Sequence, residues 1–388
     1  MNTSSHPRFF WSALLVGPLG LFGCSQHADS AAPIADTGTL EVGGDAVDEV
    51  AIEASPDAPS DGREEAILSA KWKKLAGAPT IAGKQDDVYF VDSSNGFSVN
   101  GNGQIWGSTD GGAKWSKLLD QPGTYFRAIS FFDPKHGFAA NIGTDYYPGV
   151  TDTNPLYETI DGGATWKVKA VDGAAPPGIC GFWRIDDKNI VATGRVGGPS
   201  FFLKSTDAGA TWKSTDISSK IAMLVDAYFP TPTVGVVTGG TSTGSGSRCA
   251  ILRTEDGGAS WANVFTSKQA GEMCWKVSFP TPNVGYAAVL TFGAKTPSSF
   301  IKTTDGGKTW QELPFIDGSY AGLGVGFITE NIGWIGGEAS GKPAQRTKDG
   351  GATWEADPSL GSYINRFRFV DGKTGYAIGT TIYKLEIP

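Results

Sequence analysis

Carboxylates recur along this 388-residue chain at a spacing that invites a chemical role. Asp110, Asp161, Asp207, Asp256, Asp305 and Asp349 each sit in the string Ser/Thr-x-Asp-Gly/Ala-Gly-x-x-Trp, at intervals of 51, 46, 49, 49 and 44 residues. Such acids could bind calcium or donate protons. Six equivalent copies argue for structure instead: the aspartate accepts hydrogen bonds from turn amides, the glycines supply positive φ, and the Trp packs between sheets. The acids outside the repeat are the ones free to react. Asp145, Asp226, Glu272 and Glu338, with Asp152, are candidates for a two-carboxylate glycoside hydrolase or a polysaccharide lyase; a hydrolase of that kind needs only two acids at a set separation, and the spacing singles out no pair. Histidine chemistry is constrained, because His6 falls in the leader, His27 in a polar tether and His136 in a turn. Histidine metal sites and Ser-His-Asp triads are therefore not expected, nor is a cofactor.

Recognition is the other chemistry these residue types permit. Arg127 beside Tyr125 and Phe126, Trp183 with Arg184, Trp275 with Lys276, and Arg366 and Arg368 near Tyr363 combine aromatic and cationic side chains, as binding hot spots do. They are read as lying near the starts of innermost strands. The stretch from Asn141 to Tyr157 adds Asp145, Tyr146, Tyr147 and Asp152. It reads equally as a platform for sugar or peptide and as an insertion packed on its neighbours.

The elements that position these residues follow from the period. A unit of 44 to 51 residues rich in β-pattern is the mark of a propeller. Before each Asp motif runs an apolar strand, a polar turn often containing Gly and a short strand of small and apolar residues ending near Gly, as in the copies that include Val88 to Phe97, Phe131 to Phe138, Tyr228 to Val236 and Phe369 to Tyr376. This element occurs seven times against six Asp motifs. Only one further strand comes after the seventh copy, whereas Lys71-Trp72-Lys73-Lys74-Leu75 matches the strand that leaves each Asp turn. The N-terminal strand thus completes the last sheet and closes the ring, removing its open edges. The expected fold is all-β: a seven-bladed propeller of four-stranded antiparallel blades, with strands A to D counted outward from the channel. The longer B-to-C and D-to-A loops are free to carry function on a rigid scaffold. The channel mouth on that face is where a ligand is expected.

The termini give a compartment. Arg8, an apolar run from Phe9 to Leu21, and Leu21-Phe22-Gly23-Cys24 resemble a secretory signal ending in a bacterial lipobox, since about 13 apolar residues are too few to span a bilayer as a helix. Residues 1–23 are read as signal peptide and Cys24 as the lipidated N-terminus. Residues 24–66 are read as an acidic disordered tether and 67–388 as the propeller. Ser25 after the cysteine points to the outer membrane, on its periplasmic or surface side. From Ser25 to Ala66 eleven acids face one base, Arg63, leaving the folded domain near +1 within a total of −8. There is no basic footprint for nucleic acid. Of the remaining cysteines, Cys249 and Cys274 are the expected bridge, with Cys180 left over.

The motif with its preceding strand pair, as in Phe327 to Gly336 and then Thr347 to Trp354, resembles the Asp box of the photosystem II stability and assembly factor family. The resemblance covers residues 67–388 and is specific for architecture. It implies an envelope propeller that binds a protein partner, and an arginine patch to which Arg127, Arg184, Arg366 and Arg368 could correspond. Sialidases share the Asp box but need an early Arg-Ile/Leu-Pro string; the nearest here is Arg184-Ile185-Asp186, in the third blade. The reading is of a monomeric, lipid-anchored binding or assembly propeller with a protein or glycan partner. The alternative is a carbohydrate-active enzyme on the same scaffold.

Overall fold

The computed structural model describes residues 60–81, 83–292, 298–338 and 341–388. The proposed signal peptide, Cys24 and most of the tether lie outside these residues. Seven sheets are arranged in a ring, with A strands Gln85–Phe90, Phe126–Phe131, Gly181–Arg184, Met223–Tyr228, Glu272–Ser278, Gly322–Phe327 and Ile364–Phe369 for blades 1 to 7. Each A strand packs against the next, and the last packs against the first. The ring closes in blade 7, where Lys73 and Lys74 pair antiparallel with Lys384 and Tyr383. Trp72 locks that junction, lying edge-on to Trp334 at 5.4 Å and Phe367 at 5.6 Å.

Two departures from the sequence reading have local causes. Ser60–Ser69 is helical, overlapping the stretch read as disordered tether, because Ile67 is fully buried and Ala66 and Leu68 pack against blade 7. Blade 3 carries a fifth strand, Asp172–Gly173, running parallel to Lys213–Asp216 along its outer edge.

The Phe-to-Gly element that repeats before each Asp box has a packing explanation. A Cβ on Gly96, Gly137 or Gly333 would stand 2.3 to 2.4 Å from the ring of Phe90, Phe131 or Phe327. The ring lies over the glycine of its own hairpin and presents its other surface to the neighbouring blade: Phe90 stacks on Tyr376, Phe131 on Phe97 and Phe327 on Tyr286, at 3.5 to 3.6 Å. Burial and stacking at these seams hold blade to blade.

The Asp boxes tie one face together. Asp207 Oδ1 accepts from the Thr211 amide at 2.9 Å and from the Ser205 hydroxyl at 2.8 Å, and its other oxygen accepts from the Thr211 hydroxyl at 2.6 Å. The first glycine of each box donates to the A-to-B turn of its own blade, as Gly162 does to the Lys135 carbonyl at 2.9 Å and Gly350 to the Asn331 carbonyl at 2.9 Å. In blade 3 that position is Ala208, held at φ 56. Cys249 and Cys274 form a disulfide between blades 4 and 5, and Cys180 is free and buried.

Candidate functional site

The A strands do not alternate simply. A β-bulge interrupts the A-to-B pairing in six blades, between Gln85 and Asp87, Phe126 and Ala128, Leu224 and Asp226, Cys274 and Val277, Gly322 and Gly324, and Ile364 and Arg366. A bulge re-aims side chains that strict alternation would send to opposite faces. Asp86 and Asp87, adjacent in sequence, are both fully buried and both ion-paired.

They anchor a charged network inside the channel. Arg127 Nη1 donates to Asp86 Oδ1 at 2.6 Å, and Lys84 Nζ lies 3.0 Å from the same oxygen. Arg366 Nε lies 2.9 Å from Asp87 Oδ1, and its Nη2 lies 3.4 Å from Asp226 Oδ1. Arg368 Nη2 donates to Asp87 Oδ2 at 3.2 Å. Lys276 Nζ stands 3.7 Å from Asp226 Oδ1, beyond hydrogen-bond reach. Burial opposes ionisation of Asp226, but the charges of Arg366, Lys276 and Arg368 outweigh it and hold the carboxyl below its usual range. Burial, with repulsion from Arg366, drives the Lys276 ammonium well below the usual lysine range, against the pull of Asp226.

The two ends of the channel differ. At the end where the A strands begin, Tyr125, Val196, Met223, Val225, Met273, Trp275 and Leu323, from five blades, form one buried apolar cluster. This cluster fills the channel on the face where the sequence suggested a ligand. At the other end, beside the A-to-B turns, a cavity of about 350 Å³ is lined by Tyr89, Trp183, Phe279, Phe327 and Phe369 together with Arg184, Asp226, Lys276, Arg366 and Arg368. It lies on the Asp-box face. The reason is steric: large apolar residues occupy the strand starts, whereas short turns leave the strand ends uncovered.

The sequence-predicted residues divide accordingly. Trp183, Arg184 and Arg368 lie towards the ends of their strands, not the starts, Arg366 lies mid-strand, and all four line this one cavity with Lys276. Arg127, 1% exposed, lies deeper, its guanidinium over the Trp275 ring at 5.3 Å. Arg184 pairs with the exposed Asp187 and lies over the Phe132 ring at 5.5 Å. Tyr146 is half-buried, and Tyr147, 38% exposed, packs edge-on to Tyr125 at 5.3 Å, on the opposite face. Asp152 is a loop staple, accepting from Thr124 at 2.6 Å and Tyr157 at 2.5 Å.

The candidate catalytic acids are not brought together in an open cleft. Asp145 and Glu338 are exposed, Glu272 is fully buried, and Asp226 is buried in its ion pairs. A general acid needs a raised pKa, and Asp226 is shifted the other way. The residues that sequence reasoning missed are Lys84, Asp86, Asp87 and Tyr89. Their signal was present as consecutive polar residues, Gln85-Asp86-Asp87, opening an otherwise apolar strand.

Fold and channel together define an Asp-box seven-bladed propeller with a buried ion-pair network and one aromatic, cationic mouth. Within that class the chain resembles the photosystem II stability and assembly factor family. Residues 123–261 match the family described as photosynthesis system II assembly factor YCF48. A photosystem II assembly lipoprotein Ycf48 from Synechococcus sp. (strain CC9902) is 27% identical over 302 residues, covering 74% of this chain and 79% of that protein. A xyloglucanase from Paenibacillus sp is 29% identical over 232 residues, covering 51% of this chain but only 21% of the enzyme. Among solved structures, YCF48 bound to D1 peptide superposes with a TM-score of 0.59 at 18% identity, covering 82% of this chain and 98% of that one, a likeness of fold.

Proposed function

We propose that this propeller is a lipid-anchored assembly or docking factor of the bacterial cell envelope, holding a protein partner against the cationic mouth on its Asp-box face. One observation carries the reading: Arg184, Lys276, Arg366 and Arg368 converge with Tyr89 and Trp183 on one cavity whose lining, among the described residues, includes a single carboxylate, Asp226. Arginine beside aromatic side chains, part exposed and part desolvated, is what binding hot spots are made of. The expected partner segment carries acidic side chains among apolar ones. The lipoprotein reading of Cys24 is supported by relatives that are themselves named lipoproteins. Placement in the outer membrane rests on Ser25 coming directly after that cysteine. The hydrolase alternative gains no support from geometry, because both Asp87 and Asp226 are taken up in buried ion pairs with Arg366.

Site-specific photo-crosslinking tests the choice of face. A benzophenone residue replacing Tyr89 is expected to capture a protein from envelope membranes, and one replacing Tyr147 is not. Capture from Tyr147 alone would move the binding surface to the opposite face and overturn the proposal.

A further inference from the structure

The mouth contains one cation more than its own carboxylates can serve. Lys276 is 2% exposed, and its ammonium has no hydrogen-bond partner among the described residues. The nearest carboxylate oxygen, Asp226 Oδ1 at 3.7 Å, is also contacted by both terminal nitrogens of Arg366 at 3.4 and 3.5 Å. Around the cavity, Lys276, Arg366 and Arg368 face two paired carboxylates, Asp87 and Asp226. Deeper in the channel Arg127 and Lys84 share Asp86, and at the rim Arg184 pairs with Asp187. At the mouth itself, three cations on two carboxylates leave one positive charge in surplus, and Lys276 is the residue there whose ammonium has no hydrogen-bond partner. A buried ammonium in that state is costly unless an anion meets it or it gives up its proton.

The surroundings narrow the class of anion. Trp183, Phe279, Phe327 and Phe369 wall the same cavity, whose volume of about 350 Å³ suits a small organic molecule. The Trp183 ring is fixed by its Nε1 donating to the Phe229 carbonyl at 2.8 Å and by its edge-on contact with Tyr228 at 4.9 Å. We propose that the channel mouth binds a small monocarboxylate with an apolar or aromatic substituent, its carboxylate on the Lys276 ammonium and its substituent against the aromatic wall. This goes beyond the protein-partner reading and does not depend on it, since occupancy by a free carboxylate can be measured with no partner present.

Benzoate is the probe, with benzyl alcohol as its uncharged counterpart and acetate as the carboxylate lacking a ring. Titration of the full chain, monitored by calorimetry and by the fluorescence of the tryptophans, is expected to show saturable one-to-one binding of benzoate. Acetate and benzyl alcohol should each bind at least tenfold more weakly. Lys276→Met keeps the side-chain length, removes the surplus charge and should weaken benzoate at least tenfold, whereas Tyr147→Ala on the opposite face should leave it unchanged. Should the Met variant fail to fold, the benzoate to benzyl alcohol ratio in the unaltered chain still decides. Equal binding of the two, or no saturable binding of benzoate, would show that Lys276 is neutral and anchors nothing.

Discussion

Removing Arg366 is the perturbation with the most determinate outcome. Its guanidinium joins two buried carboxylates, at 2.9 Å to Asp87 and 3.4 Å to Asp226. Breaking a buried ion pair from one side costs about 3–5 kcal/mol, because a buried charge is left behind. Here Arg368 remains on Asp87 and Lys276 remains near Asp226, so the loss for Arg366→Met falls at the lower end, about 3 kcal/mol. The variant also carries a pH signature. Burial raises the Asp226 pKa and Arg366 is the largest force lowering it, so without Arg366 the folded-state pKa rises. A carboxyl whose folded-state pKa rises on losing its partner stabilises the fold less at neutral pH, and that loss fades as pH falls through the carboxylate range. Urea unfolding monitored by tryptophan fluorescence should therefore show a deficit of about 3 kcal/mol at about pH 7.5 that narrows as pH falls through the carboxylate range. A deficit below about 1 kcal/mol, or one independent of pH, would refute the account of the channel as a desolvated ion-pair network.

Three further outcomes rest on the fold. Trp72→Ala removes the buried ring that closes blade 7 and should cost about 3–5 kcal/mol in chemical denaturation. Ala208→Gly relieves a left-handed residue inside an Asp box and should stabilise by about 1 kcal/mol, read as a higher denaturation midpoint with unchanged slope. The Thr211 hydroxyl and amide hold Asp207 from 3.8 down to about 2, so the stability it contributes is complete above the unfolded pKa and is lost as pH falls from near 4 through 2. Asp207→Asn should flatten that part of the acid-unfolding profile.

How much of this was legible in the sequence depends on whether a residue acts locally. The Asp boxes and the Phe-to-Gly hairpins are local: each motif contains both partners, as when the Phe327 ring covers Gly333, so repetition alone disclosed seven blades and their closure by the strand after Trp72. The channel is not local. Asp226 meets Arg366 across 140 residues, and Arg368 meets Asp87 across 281, so no spacing rule joins them. Bulges compound the difficulty, since they turn Asp86 and Asp87 inward together against the period of two expected of a strand. The open end of the channel was misjudged for a related reason. Loop length pointed to the face bearing Tyr146 and Tyr147, but the bulk of Met223, Met273, Trp275 and Leu323 fills the channel there. Loop irregularity marks where a surface varies, not where a channel stays open.

The central claim is that a protein partner is held at the cationic mouth on the Asp-box face. Affinity for the partner recovered by crosslinking tests it most directly, comparing the unaltered chain with an Arg184→Glu, Arg368→Gln double variant and with Tyr147→Ala on the other face. The account predicts at least a tenfold loss for the double variant, about 1.4 kcal/mol, and none for Tyr147→Ala. Unchanged affinity in the double variant together with a loss in Tyr147→Ala would contradict it.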